Sequence, residues 1–116
     1  MFFKVKGVGV APAELEDTLH GHAAVKDVAV IGIRDQSSGE IPKAFVVLQP
    51  GVPRNSSTAA ELVEYVKSKV SRPKWIDGGV EFLDEIPKSP SGKILRRILK
   101  DHLKKREESQ RRASRL

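Results

Sequence analysis

The densest group of chemically useful side chains lies in the segment Ile86–Arg97, whose sequence is IPKSPSGKILRR. This segment holds four cations and no acid, and the cations are Lys88, Lys93, Arg96 and Arg97. The spacing of the apolar residues predicts a helix with Ser91 as its N-cap and Lys93 in its first turn. Because a helix N-terminus already carries about half a positive charge, cations gathered there indicate an anionic ligand. The alternative is a solvated basic helix start that pairs with Asp84 or Glu85.

The same segment fails the pattern of a phosphate-binding P-loop. That pattern, GxxxxGK[ST], requires a glycine where Pro87 stands and a serine or threonine where Ile94 stands. Lys93 is therefore predicted to act as a point charge delivered to a ligand, and not as part of a nucleotide pocket.

Composition excludes several classes of protein. The chain has 116 residues, which predicts one domain, and it has no cysteine, which excludes disulfide scaffolds, thiol nucleophiles and cysteine-bound metals. Its three histidines are too few and too scattered to predict a metal site. No apolar run approaches the roughly 18 residues of a membrane span, and no signal-peptide pattern opens the chain, so we expect a soluble intracellular domain.

The net charge of +6 is confined to one end of the chain. Residues 1–95 carry 12 basic and 12 acidic residues, whereas the last 21 residues carry 9 basic and 3 acidic ones. Aromatic residues make up only 5% of the chain. A neutral body with a basic tail and few aromatic residues argues against a nucleic-acid partner, although such binding remains an alternative.

The elements that must position these residues form a small α+β fold. We expect a three-stranded, mainly antiparallel sheet with about three helices, plus a hairpin near residues 4–10 that contains Gly7 and Gly9. A capping box of Thr58 and Glu61 predicts the start of the second helix. The apolar patterns place strands at 25–33, 44–48 and 80–83, and helices at 12–21, 58–70 and after Gly92. Apolar residues on both faces of the strand at 25–33 predict a central strand.

Several motifs in order resemble the C-terminal lid domain of the adenylate-forming superfamily, which includes acyl-CoA synthetases, 4-coumarate–CoA ligases and firefly luciferase. The resemblance covers residues 4–103 and is closest to the acyl/aryl-CoA ligase branch. It is carried by KVKGVGVAPAELE (Lys4–Glu16), DVAVIGIRD (Asp27–Asp35), PKAFVVL (Pro42–Leu48), GVEFLDEIPK (Gly79–Lys88) and PKSPSGKILRR (Pro87–Arg97).

This resemblance implies an enzyme that uses ATP and coenzyme A as substrates. A carboxylate would attack the α-phosphate of ATP, and coenzyme A would then displace AMP from the acyl-adenylate. Lys93 falls on the catalytic lysine of the family and would bind the ATP and acyl-adenylate phosphate. Mg²⁺ and the small-molecule carboxylic acid would be bound by a large N-terminal domain that is outside this sequence.

The resemblance also assigns the hairpin. Lys6 and Gly7 fall where family members contact coenzyme A, and Gly7 would leave room for the pantetheine arm. Lys4 and Gly9 fall near the acyl-adenylate, but Gly9 replaces the usual Gln or Arg of the family.

We expect residues 1–103 to form the lid domain and residues 104–116 to form a basic tail. The tail ends in Ser114, Arg115 and Leu116, which resemble a peroxisomal address of the SKL type. A peroxisomal location and an import receptor as partner are therefore expected, with the cytoplasm as the alternative. The chain is interpreted as a fragment of a longer ligase. The alternative is a stand-alone lid-like protein that docks on an adenylating enzyme or binds coenzyme A without catalysis.

Overall fold

The apolar strands of the chain form one mixed sheet in the computed structural model, which describes residues 2–114. Along the chain, the strands are β1 (Phe3–Val5), β2 (Val8–Val10), β3 (Val25–Asp35), β4 (Gly39–Leu48) and β5 (Val80–Phe82). The strand order is β2-β1-β4-β3, and β5 also pairs with β4. The helices are α1 (Pro12–His20), α2 (Ser56–Lys67) and α3 (Arg96–Ser114), with a short 3-10 helix at Arg72–Lys74.

The predicted α+β class is confirmed, but the predicted count of three strands is too low. The two strands of the N-terminal hairpin belong to the same sheet, because β1 also pairs with β4 at Val5 and Gly39. β3 and β4 are antiparallel, as their short connection predicts, whereas β5 is parallel to β4. The parallel pairing follows from the long connection through α2. This connection returns the chain to the end of the sheet at which β4 begins, so β5 runs in the same direction as β4.

The chain divides into two compact units, one up to Ile86 and one from Pro87 onward. The length of the sequence, by contrast, predicts one domain. In the first unit, α1 and α2 pack on the core face of the sheet. Its buried cluster contains fourteen residues, which are Phe3, Val5, Val10, Leu15, Leu19, Val25, Val28, Val30, Ala44, Val46, Leu48, Leu62, Val66 and Ile76. This cluster lies entirely within the first unit.

The start of α2 differs from the prediction. Asn55, not Thr58, is the N-cap, and its side-chain oxygen accepts the backbone N–H of Thr58 at 2.9 Å. Asn is among the strongest N-cap residues, so the helix begins one turn earlier than the capping-box pattern predicts. Thr58 is instead buried on the core side of the first turn.

β3 is an edge strand, whereas its two apolar faces predict a central one. Its residues from Val28 to Ile31 are at most 1% exposed, so both faces are buried, as expected. The open edge is closed by α1, where the buried side chain of Glu16 accepts the backbone N–H of Val30 at 2.9 Å. A helix carboxylate therefore supplies the acceptor that a neighbouring strand would otherwise provide.

The second unit consists of a turn followed by α3. α3 begins at Arg96, so the predictions that Ser91 is its N-cap and that Lys93 lies in its first turn are wrong. Ile94 is extended and forms an antiparallel bridge with Lys88, which closes the turn before the helix can start. α3 continues into the predicted basic tail as far as Ser114, so the predicted boundary between residues 103 and 104 lies inside this helix.

Candidate functional site

Lys93 lies at the end of a narrow turn spanning residues 88–94. The backbone N–H of Ser89 donates to the Lys93 carbonyl at 2.9 Å, and the N–H of Gly92 donates to the Ser89 carbonyl at 2.9 Å. Gly92 has a φ of +87°, a conformation that favours glycine. At the base of the turn, the N–H of Leu95 donates to the Pro87 carbonyl at 2.9 Å. These bonds fix the backbone at Lys93.

The side chain of Lys93 extends from this turn into solvent. Lys93 is exposed, and within residues 2–111 it has no carboxylate at ion-pair distance. Asp84, one of the acids considered as a neutralising partner for the basic segment, forms an ion pair with Arg54. The ammonium group is therefore available to an anion from outside the turn.

Two serine side chains complete this turn. The hydroxyl of Ser89 accepts the backbone N–H of Lys93 at 3.2 Å and lies 2.9 Å from the hydroxyl of Ser91. Ser89 is not among the residues that the sequence predicts for the site. Its position four residues before Lys93, in a turn with a glycine, is the sequence signal that could have identified it.

The four other ligand-binding residues predicted from the resemblance lie together on the β1–β2 hairpin. Lys4 and Gly9 are directly opposite each other in the register, and Lys6 and Gly7 form the two-residue turn. Both turn residues have positive φ, +50° for Lys6 and +80° for Gly7, which identifies a type I′ turn. The side chains of Lys4 and Lys6 are exposed. Lys93, by contrast, belongs to the second unit.

Two contacts hold the hairpin in place. The Phe3 ring occupies the space above Gly32, where an added Cβ would lie 2.7 Å from the ring. At the tip, the backbone N–H of Lys6 donates to the carbonyl of Ser38, in the turn between β3 and β4, at 2.7 Å. The hairpin tip is therefore fixed to the sheet at a point beside the exposed lysine.

The β3–β4 turn is itself organised by Asp35. Its carboxylate accepts the hydroxyl of Ser37 and the backbone N–H of Ser38, both at 2.9 Å. These hydrogen bonds lower the pKa of Asp35 below its usual value of 3.8, because they stabilise the ionised form.

Gly7 and Gly9 differ in whether their backbone conformation requires glycine. A Cβ on either glycine would meet no atom within 4 Å, but only Gly7 has a positive φ. The turn itself therefore requires Gly7, whereas the backbone at Gly9 accepts any residue. Close approach of pantetheine to Gly7 stays a prediction.

Three further predictions concern other parts of the molecule. Arg115 and Leu116 of the expected targeting tripeptide lie outside the described residues, and Ser114 is the last residue of α3. Among residues 2–114, no helix is both long and apolar enough to cross a bilayer. In the same range, no three His, Asp or Glu side chains are grouped as a metal ion would require.

Comparison with known proteins gives a family match. Residues 14–93 match the family model described as the AMP-binding enzyme C-terminal domain. The chain is 53% identical over 100 residues, 84% of its length, to a protein of Emericella nidulans named as an acyl-coenzyme A synthetase. It is 45% identical over 111 residues, 95% of its length, to the acyl-CoA ligase lcsD of Purpureocillium lilacinum. The chain spans only 18% and 29% of the lengths of these two relatives.

Solved structures agree with the sequence comparisons. The crystal structure of an acyl-CoA synthetase from Brucella canis superposes with a TM-score of 0.84 at 36% identity. The superposition covers 91% of this chain and 20% of the Brucella chain. The similarity therefore extends over nearly all of this chain and over a small part of each similar protein.

Proposed function

The chain belongs to the family of AMP-binding enzyme C-terminal domains, and on that premise we propose that it is the mobile C-terminal domain of an ATP-dependent, AMP-forming acyl- or aryl-CoA ligase. The observation that carries this proposal is Lys93, an exposed cation on a turn whose backbone is fixed by several hydrogen bonds. In the proposed enzyme, a large adenylation domain binds the carboxylic acid and the Mg²⁺ that accompanies ATP. The C-terminal domain supplies one group to each of two successive half-reactions.

In the first half-reaction, Lys93 assists adenylation. A carboxylate oxygen of the substrate attacks the α-phosphorus of ATP, and pyrophosphate leaves with the electrons of the broken bond. Negative charge increases on the α-phosphate oxygens as the new bond forms. The Lys93 ammonium stabilises this charge without exchanging a proton, and its fixed backbone lowers the cost of placing it there.

In the second half-reaction, the hairpin assists thioester formation. The domain rotates against the large domain, and the sulfur of coenzyme A attacks the acyl carbon and displaces AMP. Lys6 and Gly7 at the hairpin tip contact coenzyme A, while Lys4 and Gly9 face the acyl-adenylate. The exposure of all four residues supports this assignment, because a ligand can reach them without rearrangement of the sheet.

The decisive test replaces Lys93 in the complete ligase. Lys93→Ala should slow adenylation about a hundred- to a thousandfold, because a preorganised charge is lost where charge develops. Pyrophosphate exchange measures this step. The variant should convert added acyl-adenylate to thioester at a near-normal rate, since the proposed rotation takes Lys93 away from the reacting atoms.

Lys100→Ala provides the matched control, because Lys100 is also an exposed lysine of the second unit. It should leave both half-reactions unchanged. Equal loss of both half-reactions in Lys93→Ala would contradict the proposal, since Lys93 would then have a structural or docking role.

We also propose that Ser114, Arg115 and Leu116, where they form the C-terminus of the protein, direct it to peroxisomes through an import receptor. A fluorescent protein that ends in residues 104–116 should then enter peroxisomes. Removal of Leu116 should leave the fluorescence in the cytosol, because the tripeptide is read as a unit at the chain end. Diffuse fluorescence from the intact tail would refute this proposal.

A further inference from the structure

The turn around Lys93 carries a hydroxyl pair that its own closure does not require. Three backbone hydrogen bonds already close the turn, from Ser89, Gly92 and Leu95 to carbonyls across it. The contact between the Ser89 and Ser91 hydroxyls is additional, and Ser91 is exposed at the tip. Pro90 lies between the two serines and limits the backbone freedom that would let them separate.

Either hydroxyl of this pair can donate to the other, and the remaining partners of each oxygen decide which one does so. The Ser89 oxygen accepts the N–H of Lys93, and its own proton needs an acceptor. The hydroxyl of Ser91, 2.9 Å away, can accept that proton, and so can solvent, because Ser89 is only half-buried. When Ser89 donates to Ser91, the proton of Ser91 is left to point outward from the turn.

An anion at the tip would reinforce this arrangement. A phosphate oxygen can only accept a hydrogen bond, so Ser91 must donate to it, and Ser89 must then donate to Ser91. The result is a chain of donors that runs from the Lys93 N–H through Ser89 and Ser91 to the anion. Hydrogen bonds in such a chain polarise one another, which strengthens the last donor.

We propose that Ser91 donates a hydrogen bond to the same phosphate group that Lys93 serves in adenylation, and that Ser89 is the positioning residue for Ser91. This inference rests on the proposed function of Lys93. It adds a neutral donor to the cation, so that the exposed turn presents two groups to one anion. Hydrogen bonds to charged groups are worth more than neutral ones, so the contribution of Ser91 should be measurable.

The first experiment compares serine variants in the complete ligase. Ser91→Ala should slow pyrophosphate exchange about tenfold or more, because one bond to a charged group is lost. Ser91→Thr should restore most of the rate, since it keeps the hydroxyl. Ser89→Ala should cause a smaller loss in the same step. Ser57→Ala, at an exposed serine of α2, is the matched control and should have no effect.

The two serines have to be distinguished from residues that only maintain the fold. Ser91→Ala should leave the melting temperature and the conversion of added acyl-adenylate to thioester unchanged. If Ser91→Ala is as active as the parent, or if it slows both half-reactions equally, the proposal is wrong.

A second experiment combines Ser91→Ala with Lys93→Ala and measures exchange of labelled pyrophosphate over long incubations. A direct donor should still contribute severalfold when Lys93 is absent. If the effect of Ser91→Ala disappears in that background, Ser91 acts only through Lys93 and the proposal is overturned. Failure of the underlying function would look different, because Lys93→Ala alone would then leave adenylation unchanged.

Discussion

Lys6 adopts a left-handed backbone conformation, with a φ of +50° in the two-residue turn of the hairpin. This conformation costs a residue with a Cβ about 1 kcal/mol or more, and Asn tolerates it best after Gly. A lysine at this position therefore lowers the stability of the turn relative to glycine or asparagine.

Lys6→Asn should raise the free energy of unfolding by about 1 kcal/mol, because Asn relieves the strain of the left-handed conformation. It should also slow thioester formation, since the proposed contact with coenzyme A is lost. Urea denaturation and conversion of added acyl-adenylate measure the two effects. Lys4→Asn is the control for stability, because Lys4 lies in extended β1 and has no such strain. If the rate of thioester formation is unchanged in Lys6→Asn, the proposed contact between Lys6 and coenzyme A is wrong.

At this scale, the sequence predicts which residues carry charge but not how the backbone holds them. The family resemblance selects Lys93 and Lys6 as candidate site residues, because a motif match depends only on residue types and their order. The strained φ of Lys6 and the bond between Ser89 and Lys93 depend on how the turns close in space. The residue types can indicate where such a turn lies, but they do not give its dihedral angles or its hydrogen-bond distances.

At the scale of the elements, Asp35 stabilises the turn between β3 and β4, because its carboxylate accepts hydrogen bonds from Ser37 and Ser38. The lowered pKa of Asp35 means that its ionised form stabilises the folded turn. That contribution is present above the unfolded value of 3.8 and is lost as the pH falls through the lower folded value. Because the Ser38 carbonyl accepts the N–H of Lys6, the hairpin tip depends on the same turn.

Asp35→Ala should therefore lower protection of the Ser38 and Lys6 amides against hydrogen exchange at neutral pH. The difference in protection from the parent should shrink as the pH falls from 3.8 through the lower folded pKa of Asp35, because the parent carboxylate then becomes protonated. Exchange followed by NMR at several pH values measures this. Asp17→Ala, at an exposed carboxylate of α1, should leave both amides unchanged. A difference that is constant with pH would contradict a role for the ionised form.

The sequence predicts the elements well where apolar periodicity is strong. It predicts their first and last residues poorly where a single capping side chain determines them. The strand β3 and the helix α1 follow the periodicity of the sequence, whereas β4 begins at Gly39, five residues before the strand predicted at 44–48. The start of α2 depends on whether Asn55 or Thr58 caps it, and both residues are acceptable caps. The edge position of β3 could not be predicted either, because Glu16 and both buried faces make an edge strand resemble a central one.

At the scale of the whole molecule, the first unit has a buried core of its own, while the chain corresponds to a small part of its relatives. The buried cluster of the first unit draws on residues from Phe3 to Ile76 alone. The chain nevertheless spans only 18% and 29% of the two fungal relatives. We therefore expect the isolated chain to fold without being active, because a domain can have its own core while the substrates are bound by another domain.

The chain in isolation should unfold cooperatively on heating but should release no pyrophosphate from ATP and a carboxylic acid. One exposed lysine cannot hold a nucleotide, its metal ion and an acid in reacting geometry, and geometry accounts for much of the acceleration in such a step. Circular dichroism and a coupled pyrophosphate assay measure the two properties on one preparation. A separately expressed large domain of the same ligase, added to the chain, should restore release, and Lys93→Ala in the chain should abolish that recovery. Pyrophosphate release by the chain alone would show that it holds a nucleotide site of its own, and the assignment of Lys93 to a shared site would then be wrong.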